Sequence, residues 1–234
     1  MERRHIILAI FQKQIKDVLK NTAVLILFFI FPIIAFAMSS AMSEQAGQGS
    51  FFISIFATMH AVFTPIVTTA AIIAEEKEKN TLRVLIMSNV KPYQYLLSIG
   101  GFVFISTLLT GSAFILVANY GIISSFNFIF DLAIGCICSI ILGLTIGGFA
   151  KNTMSANAIA VPIGMLFAFL PMLSSFNKSL EKVSRFTYGQ QVSNLISSPE
   201  SIGFSVENVV VIAANLLLII IAFVVIFRRN KLDV

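Results

Sequence analysis

Residues 51–85 read FFISIFATMHAVFTPIVTTAAIIAEEKEKNTLRVL. From Phe51 to Ala74 no residue is charged, and from Glu75 to Lys79 every residue is. Crossing the hydrocarbon core of a bilayer takes roughly 20 apolar residues in a helix, and the first part of this stretch is long enough. Working outward, the pattern repeats in about six runs: Thr22–Met42, Phe51–Ala74, Tyr95–Ala118, Phe126–Ala150, Ala156–Phe176 and Val209–Phe227. Only 12% of the chain is charged and 57% is hydrophobic, with a mean hydropathy of +0.93. A soluble domain could not cover its surface with so little charge. Backbone polar groups inside lipid need internal partners, so the runs are predicted to be helices. None alternates apolar and polar as a membrane barrel strand does.

The charges between the runs orient the chain. Thirteen of the sixteen Lys and Arg residues fall on one side: Arg3, Arg4, Lys13, Lys16, Lys20, Lys77, Lys79, Arg83, Lys91, Lys151, Arg228, Arg229 and Lys231. Lys178, Lys182 and Arg185 fall on the other. The positive-inside rule makes the first side cytoplasmic and both termini with it. The pI of about 9.4 records this bias. It is not a nucleic-acid footprint, because no basic stripe interleaves with stacking aromatics in a soluble segment. A signal peptide is the competing reading of the first run, with Ala35-Phe36-Ala37 as a cleavage-like triplet. The run is longer than the usual apolar core of such a peptide.

Before the first run, Glu2–Asn21 reads as an amphipathic helix on the inner surface. Ile7, Phe11, Ile15, Val18 and Leu19 share one face, and Lys13, Lys16, Asp17 and Lys20 take the other. Basic residues opposite an apolar face favour an interfacial position. Two gaps are long: the cytoplasmic segment 75–94 and the outer loop 177–207. The outer loop carries Leu180, Val183 and Phe186 at i+3, then Val192, Leu195 and Ile196. Short half-buried outer helices suit that pattern. The chain therefore reads as one membrane domain over 1–234, an all-α integral membrane protein.

Within the spans, Gly143 and Gly147 form a G-x-x-x-G step that lets another helix approach, from the same subunit or from a second one. Cys136 and Cys138 point about 200° apart on a helix and cannot bridge. His60 reads as a hydrogen-bonded packer rather than a proton relay. Asp131 is expected in the first turns of the fourth span, where the helix dipole favours an acid. The spans carry no acid near their centres, so a proton- or ion-driven transporter is disfavoured.

The segment after the second span is the densest charge cluster. Its acidic residues are expected to open a short helix whose N-terminus favours negative charge. Leu82, Leu85, Ile86 and Val90 recur at helical spacing, and Lys91-Pro92 ends the element. A surface helix with an apolar stripe suits docking. At Glu76, Lys77, Glu78, Lys79, Asn80, Thr81 and Leu82, followed by Ser88, Asn89 and Val90, the chain resembles the permease subunits of type-2 ATP-binding-cassette exporters. That family typically reads Glu-Arg/Lys-Glu-x-Gly-Thr-Leu, then a Ser-Pro-Val-like step. Here Asn80 stands for the glycine and Asn89 for the proline. Asn also enters the left-handed backbone that glycine supplies.

The resemblance implies a paired twelve-helix permease in a bacterial cytoplasmic membrane, with two ATPase subunits on its inner face. The ATPases, not this chain, would bind ATP and magnesium, and no cofactor is expected here. Glu76, Glu78, Thr81, Leu82, Leu85 and Ile86 would form the element that couples ATP hydrolysis to the spans. No G-x-x-x-x-G-K-[ST] loop and no H-E-x-x-H, C-x-x-C or G-x-S-x-G motif occurs. The bare central spans and the 23 phenylalanines suit an apolar or amphipathic substrate, a peptide (bacteriocin) or a drug. The other reading is a non-transport immunity or sensory subunit that sequesters a toxic peptide.

Overall fold

The computed structural model describes residues 2–41, 48–81, 87, 91–200 and 204–229. Every element among them is a helix: α1 (Glu2–Lys20), α2 (Thr22–Ala41), α3 (Gln48–Glu78), α4 (Pro92–Gly111), α5 (Ala113–Ala118), α6 (Ile122–Phe149), α7 (Thr153–Ser174), α8 (Lys178–Ser184), α9 (Tyr188–Ile196) and α10 (Val206–Arg229). Six candidate spans result, with α4 and α5 together making the third. The chain is an all-α, multi-pass membrane protein.

Helix α3 is the axis of the bundle. It packs on α2, α4, α6 and α7, and 78% of its most apolar stretch is buried. Its sequence permits this. Ala57, Ala61, Ala70 and Ala74 are fully buried, and small side chains let neighbouring backbones approach. Three of its hydroxyls find acceptors without solvent, Thr58 donating to the Ser54 carbonyl, Thr68 to Thr64, and Thr64 to Leu27 on α2, whereas the buried Thr69 hydroxyl has no partner among the described residues.

The third span breaks at Ser112 and ends at Asn119, whose φ of 53° is left-handed. Its start is fixed by Pro92 at the first helical position and by the Gln94 side chain, which accepts the Lys91 N–H at 3.0 Å. The single residue Asn21 joins α1 to α2. The buried line of α1 is Ile10, Gln14 and Val18. Ile15 and Leu19 are left uncovered by protein, as an interfacial helix requires.

Beyond α7 the chain forms the two short helices α8 and α9. Asn177 caps α8 by accepting the Ser179 N–H, and Thr187 caps α9 by accepting from Gln190. Only α9 enters the bundle. Val192 and Ile196 are fully buried there, whereas Val183 and Phe186 beside α8 stay exposed. Tyr188 stacks on Phe167 with centroids 5.0 Å apart, and its hydroxyl lies 3.0 Å from Ser139 Oγ. Gly189 sits so close to the Phe167 carbonyl that an added Cβ would lie 2.2 Å from its oxygen. That carbonyl is four residues before Pro171, which has no N–H to donate to it.

Candidate coupling site

Glu75, Glu76, Lys77 and Glu78 form the last turn of α3. Successive helical residues point about 100° apart, so four in a row point all round the axis. Because α3 is central, each meets a different neighbour. Glu75 Oε2 accepts from Asn21 Nδ2 at 3.2 Å, at the joint between α1 and α2. Glu76, 5% exposed, accepts from Lys13 Nζ at 2.7 Å and Gln14 Nε2 at 2.5 Å, both on α1. The buried Tyr95 hydroxyl of α4 faces the same carboxylate, outside hydrogen-bonding geometry. Lys77 Nζ donates to the carbonyls of Gly147, Gly148 and Ala150 at 2.9, 2.5 and 3.1 Å. Glu78 Oε2 accepts from Thr153 N at 3.0 Å and Thr153 Oγ1 at 2.9 Å.

Lys77 and Glu78 are matched to the helix ends they touch. The last carbonyls of α6 have no intrahelical donor and carry the negative end of its dipole, so an ammonium belongs there. The first N–H groups of α7 carry the positive end, so a carboxylate belongs there. The acidic residues therefore close a long helix rather than open a short one, contrary to the expectation from sequence. Carboxylates at the C-terminus of α3 oppose its own dipole. They are held by Lys13, Asn21, Thr153 and the ion pair between Lys79 and Glu75. Glu75 in turn raises the pKa of the exposed Lys79, by hydrogen bond first and charge second.

The chain leaves α3 through a fixed turn. Lys79 N donates to the Glu75 carbonyl and Asn80 N to that of Lys77. Asn80 has a φ of 56°, the left-handed value typical just past a helix C-terminus. Thr81 Oγ1 then donates to the Glu76 carbonyl at 3.1 Å. Leu82, Leu85, Ile86 and Ser88–Val90 lie outside the described residues. Met87 is helical and 79% exposed. The far stem is the capped start of α4 at Lys91.

Gly147 supplies one of the carbonyls that Lys77 holds, and Gly143 lies about one turn before it. A Cβ at Gly143 would come within 2.7 Å of the Ile66 carbonyl oxygen, and one at Gly147 within 2.9 Å of Ile73 Cβ. The G-x-x-x-G step is occupied by α3 of the same chain. Helix α6 is thus tied to α3 by backbone contact along its length and by Lys77 at its end.

Elsewhere, His60 is fully buried and bonded on both ring nitrogens, to the Thr107 carbonyl at 3.0 Å, Thr110 Oγ1 at 3.1 Å and Thr64 Oγ1 at 3.4 Å. Asp131 is not in the first turns of its span. Helix α6 starts at Ile122, so Asp131 is more than two turns in and is buried. Cys136 and Cys138 are buried and unbridged. Among the described residues no cluster of His, Cys, Asp or Glu could hold a metal ion.

The comparison with curated proteins finds no match. The family model described as ABC-2 family transporter protein matches residues 9–228, from the interfacial helix to the end of the last span. The chain belongs to the ABC-2 family of transporter proteins, as a membrane-spanning permease component of an ABC transporter.

Proposed function

We propose that the chain is the permease subunit of an ATP-driven exporter and moves an apolar or amphipathic substrate, a peptide or a drug, outward. Energy comes from two separate ATPase subunits, which bind ATP and magnesium; this chain holds no cofactor. They dock on the segment Glu76–Val90, with Leu82, Leu85 and Ile86 as the apolar contact. The side bearing α1, Glu75–Lys79 and Lys151 is cytoplasmic, by the excess of Lys and Arg there. A second permease copy completes the translocation path in a bacterial cytoplasmic membrane.

The observation that carries this reading is the fan at the tip of α3. The apolar part of the docking segment begins at Leu82, one residue after Thr81, whose hydroxyl bonds to the Glu76 carbonyl, and three residues after Lys79. Any displacement of that segment pulls on α3, and through Glu75–Glu78 on the ends of α1, α2, α6 and α7. A push at one point thereby reaches most of the bundle, which is the requirement for converting closure of an ATPase pair into movement of spans.

Affinity purification from its native membrane tests it. The tagged full-length chain should carry an ABC ATPase with it at a one-to-one ratio. Purification free of any ATPase, with export of toxic peptide unchanged when cellular ATPases of this class are deleted, would contradict the proposal.

A further inference from the structure

Two cavities meet at Val18 on α1. One, of about 460 Å³, lies between α1, the start of α2 and the end of α3. Its lining carries three ammonium groups, Lys13, Lys20 and Lys79, and three carboxylates, Asp17, Glu75 and Glu76. The other, of about 350 Å³, runs between α1, α2 and α4 and is lined by apolar residues such as Ile15, Leu19, Phe29 and Ile105. Val18 lines both.

We propose that this pair is a site for one phospholipid with a primary-ammonium headgroup, the head in the polar cavity and an acyl chain in the groove. The charge pattern selects the headgroup. Equal numbers of ammonium and carboxylate groups make a neutral lining, which suits a zwitterion better than a net anion. Lys20 makes no ion pair among the described residues and is placed for the phosphate. Asp17, 52% exposed at the mouth, is placed for the ammonium. Glu76 on the cavity wall is buried, its Oε1 held by Lys13 and Gln14 and its carboxylate faced by the Tyr95 hydroxyl. A choline headgroup has no N–H to give such carboxylates, whereas an ethanolamine headgroup has three. The groove supplies the other half. It is the uncovered side of an amphipathic helix and a span, at the depth where an acyl chain runs.

The test is native mass spectrometry of the purified full-length chain, delipidated in detergent and titrated with phosphatidylethanolamine, phosphatidylcholine and phosphatidylglycerol of identical acyl chains. Phosphatidylethanolamine should bind once per chain and roughly tenfold more tightly than the other two, the difference that charge-assisted hydrogen bonds supply. The double variant Asp17→Asn, Lys20→Gln should erase that preference. Ile105→Trp, which fills the groove, should weaken all three lipids and keep their ratio. Equal binding of the three lipids by the unaltered chain would overturn the proposal, and that comparison needs no variant to fold. Preference retained in Asp17→Asn, Lys20→Gln would move the headgroup elsewhere and overturn it too. Competition by free glycerophosphoethanolamine as strong as by the lipid would overturn the groove's part.

Discussion

Helices α3 and α10 can both cross a bilayer, yet 78% of the apolar stretch of α3 is buried by the rest of the chain and 6% of that of α10. The less buried helix is the more apolar one. In water that order would be reversed. In a bilayer, lipid tails satisfy Leu and Ile as well as protein does, so large apolar side chains have no reason to turn inward. Close approach of backbones decides burial instead. Helix α3 offers Ala57, Ala61, Ala70 and Ala74 to its neighbours, and α6 answers with Gly143 and Gly147. Helix α10 offers Leu217, Leu218, Ile221 and Val225, all uncovered. Its polar ties among the described residues include Glu207, which pairs with Arg185, and Asn215, which donates to the Phe186 carbonyl at 2.9 Å and so holds the chain between α8 and α9.

The contrast can be broken at several points. The largest effect is expected where α6 meets α3. Replacing Gly143 and Gly147 with Leu places side chains where the Ile66 and Ala70 carbonyls already are, and overpacking costs about 1–3 kcal/mol per site or more. Unfolding in mixed micelles should shift to much lower denaturant, or the protein should fail to fold. Wild-type stability of the double variant would mean that α3 is not held by backbone contact. A smaller effect is expected at the tip. Glu76→Ala leaves the buried Gln14 amide without its acceptor and Lys13 with Asp17 alone, and a buried group so orphaned costs about 1–3 kcal/mol. The loss should be local: amide exchange over 10–18 should rise while the middle of α3 stays protected. Uniform exchange throughout would show that the fan does not organise the helix ends. The smallest effect belongs to α10. Leu217→Ala should change stability by less than about 0.5 kcal/mol; a loss above about 2 kcal/mol would mean that this face is covered by protein.

Hydropathy was sufficient to find the six spans, because lipid makes the same demand of every crossing helix. Where each helix stops was less legible. The second apolar run ends at Ala74, where the charges begin, but α3 continues to Glu78. Its last turn is stabilised by Asn21, Lys13, Thr153 and the carbonyls ending α6, all distant in sequence. A local reading of Glu75-Glu76 as a helix start misses partners that only the bundle brings together. The fourth span is extended by Ile122–Ser125, which the hydroxyls of Ser124 and Ser125 disguise as a gap. That shift moved Asp131 from the helix mouth into the bundle. At the candidate site, the left-handed Asn80 was legible from residue type, whereas the division of Glu75–Glu78 among four neighbours was not. The wedge of α9 had a visible signal: Pro171 frees the Phe167 carbonyl, and a glycine beside a tyrosine supplies the close contact.

The coupling segment is tested most directly by measuring ATP hydrolysis and substrate transport together, in proteoliposomes holding the permease with its ATPase. Leu82→Asp with Leu85→Asp places two charges in the proposed docking stripe, and burying an unpaired charge costs several kcal/mol, comparable to an interface hot spot of about 2–4 kcal/mol. The permease should still insert and fold, since the fan and the α3–α6 contact are untouched, but transport should be lost because the ATPase detaches or turns over unproductively. Normal ATPase binding and normal transport in this double variant would contradict the coupling role and reduce Glu76–Val90 to a connection between spans.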